Sequence, residues 1–370
     1  MAYDSVHIRA CRHVGPFGLF LKKHINIISL MQFVVCIFFL LLMKLFEISL
    51  RDLLEENSMF LRLLGAKRWS FTNSTSRVTI YASDEETNSL LETRDMCGDV
   101  SGYDALVIVH TAVTHFQHRQ RYRDTYGNFD FTRPYRLKIV FFLGLPSDPS
   151  LQSEILRENT QDGDTVQGNF TDTYRNLTYK AVMAYRWVSQ NCRRVKVILK
   201  MDDDVILDVH RFFEEFVLPP IYQQELIFCH IWTLAEVERT GKWGISLQDY
   251  RGEYYPPYCS GFIVVVMPAI VEDLYETARD TPFLWLDDVF IYGVVRQEMR
   301  DVQLVNLDEV AFREEHYKAC YKQYGYRCKY WATVLPEGQE FISMLLSLRA
   351  ERLRVWGPEK PKTDNYTAML

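Results

Sequence analysis

The stretch VILKMDDDVIL, residues 197–207, sets an apolar run that belongs in an interior directly against three consecutive aspartates. Adjacent carboxylates repel one another, so the arrangement calls for a compensating charge. The apolar part, VKVILKM (195–201), reads as a buried strand with the aspartates at its carboxyl end. An EF-hand is excluded, because its loop needs glycine at the sixth position, where counting from Asp202 or Asp203 gives Leu207 or Asp208. Two readings remain: a solvated acidic loop, or a seat for a hard divalent cation, Mn²⁺ or Mg²⁺, completed by the phosphates of a substrate.

The flanking sequence supplies a sheet. ALVIV (105–109), RLKIVFFLG (136–144), LIFC (226–229) and GFIVVVM (261–267) are further strand candidates. NLTYKAVMAYRWVSQN (176–191) places Leu177, Ala181, Ala184, Tyr185 and Val188 on one helical face, and Pro268 is well placed to open a helix through PAIVEDLYETARD. HFQHRQRYRDTYG (115–127) is basic and helix-compatible. Alternating strands and helices predict an α/β domain with a mixed, largely parallel sheet, in which ligands bind beyond the carboxyl ends of the strands. The aspartates lie at such a place.

The compartment follows from the amino terminus. Ile25 to Met43 carries no charge, long enough at about 1.5 Å per residue to cross most of a bilayer core of about 30 Å. Arg9, Arg12, Lys22 and Lys23 precede it, which predicts a signal anchor over 25–46 with a cytosolic tail (1–24); a cleavable signal peptide is the rival, but no small-residue site follows. Beyond it, 47–102 reads as a stem whose first part keeps a helical period (Leu50, Leu53, Leu54, Leu61, Leu64), a stalk or a seam for a homodimer or hetero-oligomer. A catalytic domain (103–350) and a tail (351–370) complete the chain. Cys97, Cys192, Cys229, Cys259, Cys320 and Cys328 would face an oxidising lumen, with pairing left open, and the sequons at Asn73, Asn169, Asn176 and Asn365 fall on the same side. No C-x-x-C pair suggests zinc. A net charge of −6 argues against nucleic acid as a partner. In a secretory compartment the diphosphate best suited to the aspartates is a nucleotide-sugar.

Six blocks in one order resemble the β-1,3-galactosyltransferase/N-acetylglucosaminyltransferase family (glycosyltransferase family 31), from about Val107 to at least Cys320. RQRYRDTYG (119–127) resembles R-x-x-I-R-x-T-W-G, with Tyr122 for the apolar residue and Tyr126 for tryptophan. KIVFFLG (138–144) resembles the second strand, and NFTDTYRNLTYK (169–180) resembles D-F-x-D-x-Y-x-N-L-T-x-K. WVSQNC with KMDDDV (200–205), YPPYCSGFIVVV (255–266) and LDDVFIYG (286–293) resemble the helix, the metal-binding strand and the two later blocks.

The resemblance implies a GT-A nucleotide-sugar-binding fold, a type II Golgi membrane protein and inverting, metal-dependent transfer from UDP-galactose or UDP-N-acetylglucosamine to a glycan on protein or lipid. Carried over by position, Asp204 is the principal ligand of Mn²⁺ or Mg²⁺ with Asp202 beside it, and Asp203 sits near the ribose or metal. Arg119, Arg123, Lys200, Asp202, Asp203 and Gly261 form the donor side. For the arginines the alternative is a solvated helix face, and for Gly261 a strand bulge. Asp288 is the general base and Asp287 the second candidate; both also fit helix capping. Trp285 and Tyr258, with Tyr255 and Phe283 nearby, would form an acceptor platform or simply core. Trp187 reads as packing, and His110, His115 and His118 are given no metal role. One departure stands out: the family's late histidine has no counterpart in WATVLPEG (331–338), where Ala332 takes its place and His316 cannot be aligned to it. An inactive family member, serving as Golgi chaperone or partner subunit of another glycosyltransferase, is therefore the alternative function.

Overall fold

The computed structural model describes residues 82–356, save 83, 93–96, 98–101, 193, 216–223, 308, 312 and 336–337. The expected anchor, most of the stem, Asn73, Asn365 and the tail beyond 356 lie outside the described residues. No described helix is long and apolar enough to cross a membrane.

The strands are β1 (Ser89–Leu91), β2 (Ala105–His110), β3 (Leu137–Leu145), β4 (Thr165–Thr171), β5 (Ile198–Asp202), β6 (Val205–Leu207), β7 (Leu226–Trp232), β8 (Tyr258–Val266), β9 (Gln303–Asn306), β10 (Val310–Ala311) and β11 (Ala332–Val334). Eight of them form one mixed sheet in the order β1-β4-β3-β2-β5-β8-β7-β9. The run β4-β3-β2-β5 is parallel, as the sequence predicts. Beyond β5 the direction reverses, since β8 runs antiparallel to both β5 and β7.

Both faces of the central strands are covered, which explains why β2, β3 and β5 are continuous apolar runs rather than alternating ones. Val107, Val109, Ile139, Phe141, Leu199 and Met201 share a core with Tyr122 and Tyr126 of the helix Phe116–Asp124 and its C-terminal extension, and with Phe341, Leu345 and Leu348 of the helix Gly338–Trp356. The intervening residues Leu106, Ile108, Val140 and Phe142 are equally buried. Phe142 meets Trp187, on the helix Leu177–Asn191, edge-on at 5.8 Å, so Trp187 packs as its helical pattern suggests.

The strand order places the aspartates. β3 lies on one side of β2 and β5 on the other, so the order reverses there, with His110 directly opposite Asp202 in register. Such a switch point is where a parallel sheet opens a crevice at its carboxyl end. A small sheet, β10-β11-β6, closes the far side of the aspartate loop, where Leu335 donates its backbone N–H to Asp204 O at 2.7 Å.

All six cysteines beyond the expected anchor are paired, as Cys97–Cys192, Cys229–Cys259 and Cys320–Cys328. The second ties β7 to β8 at the base of the loop between them. Replacing Cys229 and Cys259 together by serine is expected to cost about 2–4 kcal/mol, read by urea unfolding against the parent protein.

Candidate active site

The helix Phe116–Asp124 carries Arg119, Tyr122 and Arg123 on one face, with Tyr126 one turn on, and that face holds the aspartate loop in place. Tyr122 Oη lies 2.7 Å from Asp202 O and 2.8 Å from Val205 O, and Tyr126 Oη accepts from the Leu207 N–H at 2.6 Å. Arg121, stacked over Phe341, donates to Asp203 O at 3.2 Å. Tyr126, a departure from the family's tryptophan, thus has a backbone N–H to satisfy.

The two arginines expected on the donor side do not face the crevice. Arg119 is fully buried and grips Glu158 through Nε (2.9 Å) and Nη2 (2.7 Å), with Nη1 on Ala112 O at 2.8 Å. Arg123 makes a two-pronged pair with Asp164 (2.7 and 2.8 Å) and a bond to Glu158 at 2.8 Å. Their hydrogen bonds go to Glu158 of the helix Pro149–Asp162, to Asp164 just before β4 and to Ala112 O. Both arginines are engaged in framework ion pairs rather than in a solvated helix face.

The three aspartates have three environments. Asp203 turns inward, accepting from the Thr111 hydroxyl, from His115 Nδ1 at 2.8 Å and from His118 Nδ1 at 3.2 Å. Burial alone would raise its pKa, but the His115, His118 and Thr111 hydrogen bonds outweigh burial and hold the carboxylate well below the usual range. The same bond, against opposing burial, raises His115. His115, His118 and Asp203 present ligand atoms within 4.8 Å of one another and can hold a metal ion, a grouping the sequence reading passed over. Asp202 points the other way and receives Lys200 Nζ at 2.7 Å. Burial, reinforced by Asp204 and Asp287 against the pull of Lys200, pushes it up to about 6. Asp204 is also raised, by burial and then by the charge of Asp203.

Lys200 links this cluster to the later one. Its ammonium bonds Asp202 and Gly261 O, and the Gly261 N–H donates to Asp288 Oδ2 at 2.8 Å. Burial would lower the Lys200 pKa; Asp202, then Asp288 and Asp287, reverse this and hold it above its ordinary value. Asp288 is raised well above the carboxylate range by burial and by Asp287, and Asp287 is raised by burial. Asp288 opens a π-helical stretch, Val289–Val295, a rare form frequent at functional sites. Its side chain makes no capping bond there. Gly261 is explained by this carboxylate: a Cβ would stand 1.7 Å from Asp288 Oδ1.

On the expected acceptor side, Tyr258 lies in the field of Asp288 and is pushed up to about 12, by burial first. Trp285 is only 8% exposed, and the Arg175 guanidinium covers its ring at 4.4 Å. It is a wall residue rather than an open platform. The sequence reading also missed Lys180, buried with Nζ 2.6 Å from Thr111 O and 3.0 Å from Asp172, which in turn accepts the Gly144 N–H. Its charge is legible in T-x-K, its depth is not. His110, enclosed near Lys180 and Lys200 with neither ring nitrogen hydrogen-bonded, is lowered well below its usual pKa by burial, then by Lys200. Ala332 is buried opposite Leu207, and the residue of that segment touching Asp204 is Leu335. The imidazoles at the aspartate loop come instead from His115 and His118. Of the sequons, Asn169 lies in β4, while Asn176 donates to Thr171 O and its Thr178 is fully buried on Leu284 O.

A galactosyltransferase family profile matches residues 117–308, more than half of the chain. The lactosylceramide 1,3-N-acetyl-beta-D-glucosaminyltransferase of Xenopus tropicalis is 28% identical over 284 residues, covering 71% of this chain and 75% of that protein. Mouse beta-1,3-galactosyltransferase 1 is 27% identical over 188 residues, covering 50% of this chain and 58% of that protein. Among solved structures, the galactosyltransferase LgtC with donor and acceptor sugar analogues aligns at a TM-score of 0.33 and 7% identity over 66% of this chain and 96% of that one. The chain belongs to the galactosyltransferase family, as a hexosyltransferase of its β-1,3-galactosyl and N-acetylglucosaminyl branch.

Two substitutions separate frame from site. Gly261→Ala drives a methyl into the Asp288 carboxylate and is expected to cut transfer at least about 100-fold, the scale of a misplaced catalytic group, in a protein that still unfolds cooperatively. Arg119→Ala leaves Glu158 short of its partner and is expected to cost about 3–5 kcal/mol in urea unfolding, with Arg119→Lys a poor rescue because it lacks the planar fork.

Proposed function

We propose that this crevice transfers a hexose from a UDP-sugar, UDP-galactose or UDP-N-acetylglucosamine, to a hydroxyl of a glycan acceptor with inversion at the anomeric carbon. The observation that carries the reading is the linkage Asp202–Lys200–Gly261–Asp288, which brings an acid cluster fit for a cation and a raised, hydrogen-bonded carboxylate to the same end of the sheet. In this reading Asp288 takes the proton of the acceptor hydroxyl as its oxygen bonds to C1. The bond from C1 to the diphosphate oxygen breaks on the opposite face, and UDP leaves with the electron pair. Asp287 keeps Asp288 basic through its charge. Lys200 fixes Asp202 and, through Gly261, the backbone that orients Asp288.

The donor set suits a hard divalent cation, because Asp202 and Asp204 are both raised carboxylates with negative charge to spare. Those two residues would hold it, and bound there it supplies neutralisation of the departing diphosphate. Residence in the Golgi as a single-pass type II protein, and association through the stem, belong to the same proposal; the charge-free run Ile25–Met43 with basic residues before it supports them.

Binding of UDP-galactose and UDP-N-acetylglucosamine by calorimetry, with and without Mn²⁺, tests the reading. Metal-dependent binding that disappears in Asp204→Ala is expected. Asp288→Asn should keep donor binding while transfer falls by about 10²–10⁴-fold, the usual contribution of a positioned base. If neither donor binds under any metal, the partner-subunit reading replaces this one. A second check is the pH profile of kcat/KM. Asp288 must be ionised to act and its pKa is raised, so activity is expected to fall as pH drops, beginning above the ordinary carboxylate range.

A further inference from the structure

An aromatic ledge forms where Trp243, on the loop between β7 and β8, meets Tyr174, on the short turn Tyr174–Asn176 that follows β4. Trp243 and Tyr174 are 48% and 45% exposed, yet neither is loose. Trp243 Nε1 donates to Tyr174 Oη at 2.8 Å, and Lys242 Nζ stands 4.9 Å from the Tyr174 ring centre and 5.3 Å from that of Trp243. Behind them, Tyr174 meets Trp285 edge-on at 6.1 Å, and Trp285 lies two residues before Asp287.

The loop is pre-shaped. Arg239 donates to three of its carbonyls, Ile245 O, Tyr250 O and Gly252 O. A bridge pairs Glu236 with Tyr254, the Val237 N–H reaches Glu253 O, and Cys229–Cys259 closes the base. Two neighbouring half-exposed rings, joined by a hydrogen bond and backed by a fixed loop, offer a stacking face to a ligand with an apolar side.

Position selects the ligand. The edge-on contact with Trp285, two residues before Asp287, sets Tyr174 next to the acidic pair, whose charges with that of Asp202 act on its hydroxyl. Trp243 stands one hydrogen bond further out. An oligosaccharide whose hydroxyl met Asp288 could therefore extend from the acidic pair toward Tyr174 and Trp243.

We propose that Tyr174 and Trp243 form a saccharide subsite for an oligosaccharide acceptor, receiving the apolar C–H face of the ring next to the one that reacts, with Lys242 donating to its hydroxyls. The inference rests on the hexosyltransferase reading and extends it: the acceptor is at least a disaccharide, and recognition of its inner ring lies on this loop.

The test is saccharide binding by the full chain, saturated with UDP and Mn²⁺, to β-linked galactosyl and N-acetylglucosaminyl disaccharides and to the matching methyl monosaccharides, measured by saturation-transfer NMR and titration. Trp243→Ala is expected to weaken disaccharide binding at least about tenfold, the scale of a lost aromatic anchor, and to leave the monosaccharides and UDP unchanged. Trp243→Phe, which keeps a ring, should restore most of it, and Lys242→Ala should give a smaller loss. Equal disaccharide affinity in Trp243→Ala and the parent protein overturns the subsite, as does a parent protein that binds disaccharides no better than monosaccharides. Loss of UDP binding with disaccharide binding intact would sink the donor reading and leave the ledge standing.

Discussion

Lys200 is enclosed at the end of β5, and its ammonium is the counter-charge common to Asp202, Asp204, Asp287 and Asp288. An ammonium out of water is tolerable only when paired, and here it is paired well enough to sit above its ordinary pKa. The reverse does not hold. One ammonium cannot offset four carboxylates, and all four are raised. The surplus negative charge is what the cation and the acceptor proton of the proposed reaction would relieve. The clamp of Tyr122 and Tyr126, the antiparallel turn into β8 and the glycine at 261 all serve to hold that charge together.

A second ionic layer lies behind the first and does different work. Arg119 and Arg123 with Glu158 and Asp164 lock the helix that carries the tyrosine clamp to the helix Pro149–Asp162 and to the chain entering β4. The sequence shows the two arginines one turn apart and therefore on one face. It cannot show what that face meets, because Glu158 and Asp164 enter from a helix and a strand some distance along the chain. Residue type pointed to phosphate, whereas tertiary pairing had already consumed the guanidinium donors. The neighbouring Asp203 follows the same logic: three aspartates in a row look like one acidic unit, but β5 ends at Asp202 and the chain turns through Asp203 and Asp204 into β6, so the middle carboxylate departs from its neighbours and is taken up by two histidines and a threonine.

The elements that were legible announce themselves through burial on both sides. β2, β3, β5, β7 and β8 are runs of Val, Ile, Leu and Phe, and each run lies in a strand. β4 was not read because it is TVQGNFT, buried yet polar, with Gln167 satisfied by Gln152 and Gly144 O rather than by packing. The helix Pro149–Asp162 went unread although its signals are present: Asp148 caps it onto Ser150, Pro149 opens it, and Gly163 closes it at φ 63°. At the site, the linear pattern identified Asp202, Asp204, Asp288 and Gly261 as residues worth noting, but the reason for Gly261 is the carboxylate against its backbone. Trp285 fits either an acceptor platform or core in the sequence because it adjoins the acidic pair; Arg175, more than a hundred residues earlier in the chain, covers its ring only in three dimensions.

The arrangement also bears on whether such a chain is a scaffold or an enzyme. Carboxylates whose pKa is raised in the folded state favour the neutral form, so the stability they contribute is full below the unfolded-state pKa and is lost as pH rises through the folded values. At neutral pH a cluster of this kind weakens the fold. Asparagine at 288 could still accept the Gly261 N–H without that penalty, and a chain that only holds a partner would be more stable with it. The ledge makes the same point from the surface side, since three carbonyl bonds to Arg239 hold the loop that presents Trp243 to water beside Tyr174. Charge held against repulsion inside and rings held against solvent outside, a few side chains apart, are costs that substrate binding and proton transfer repay and that a purely structural role does not.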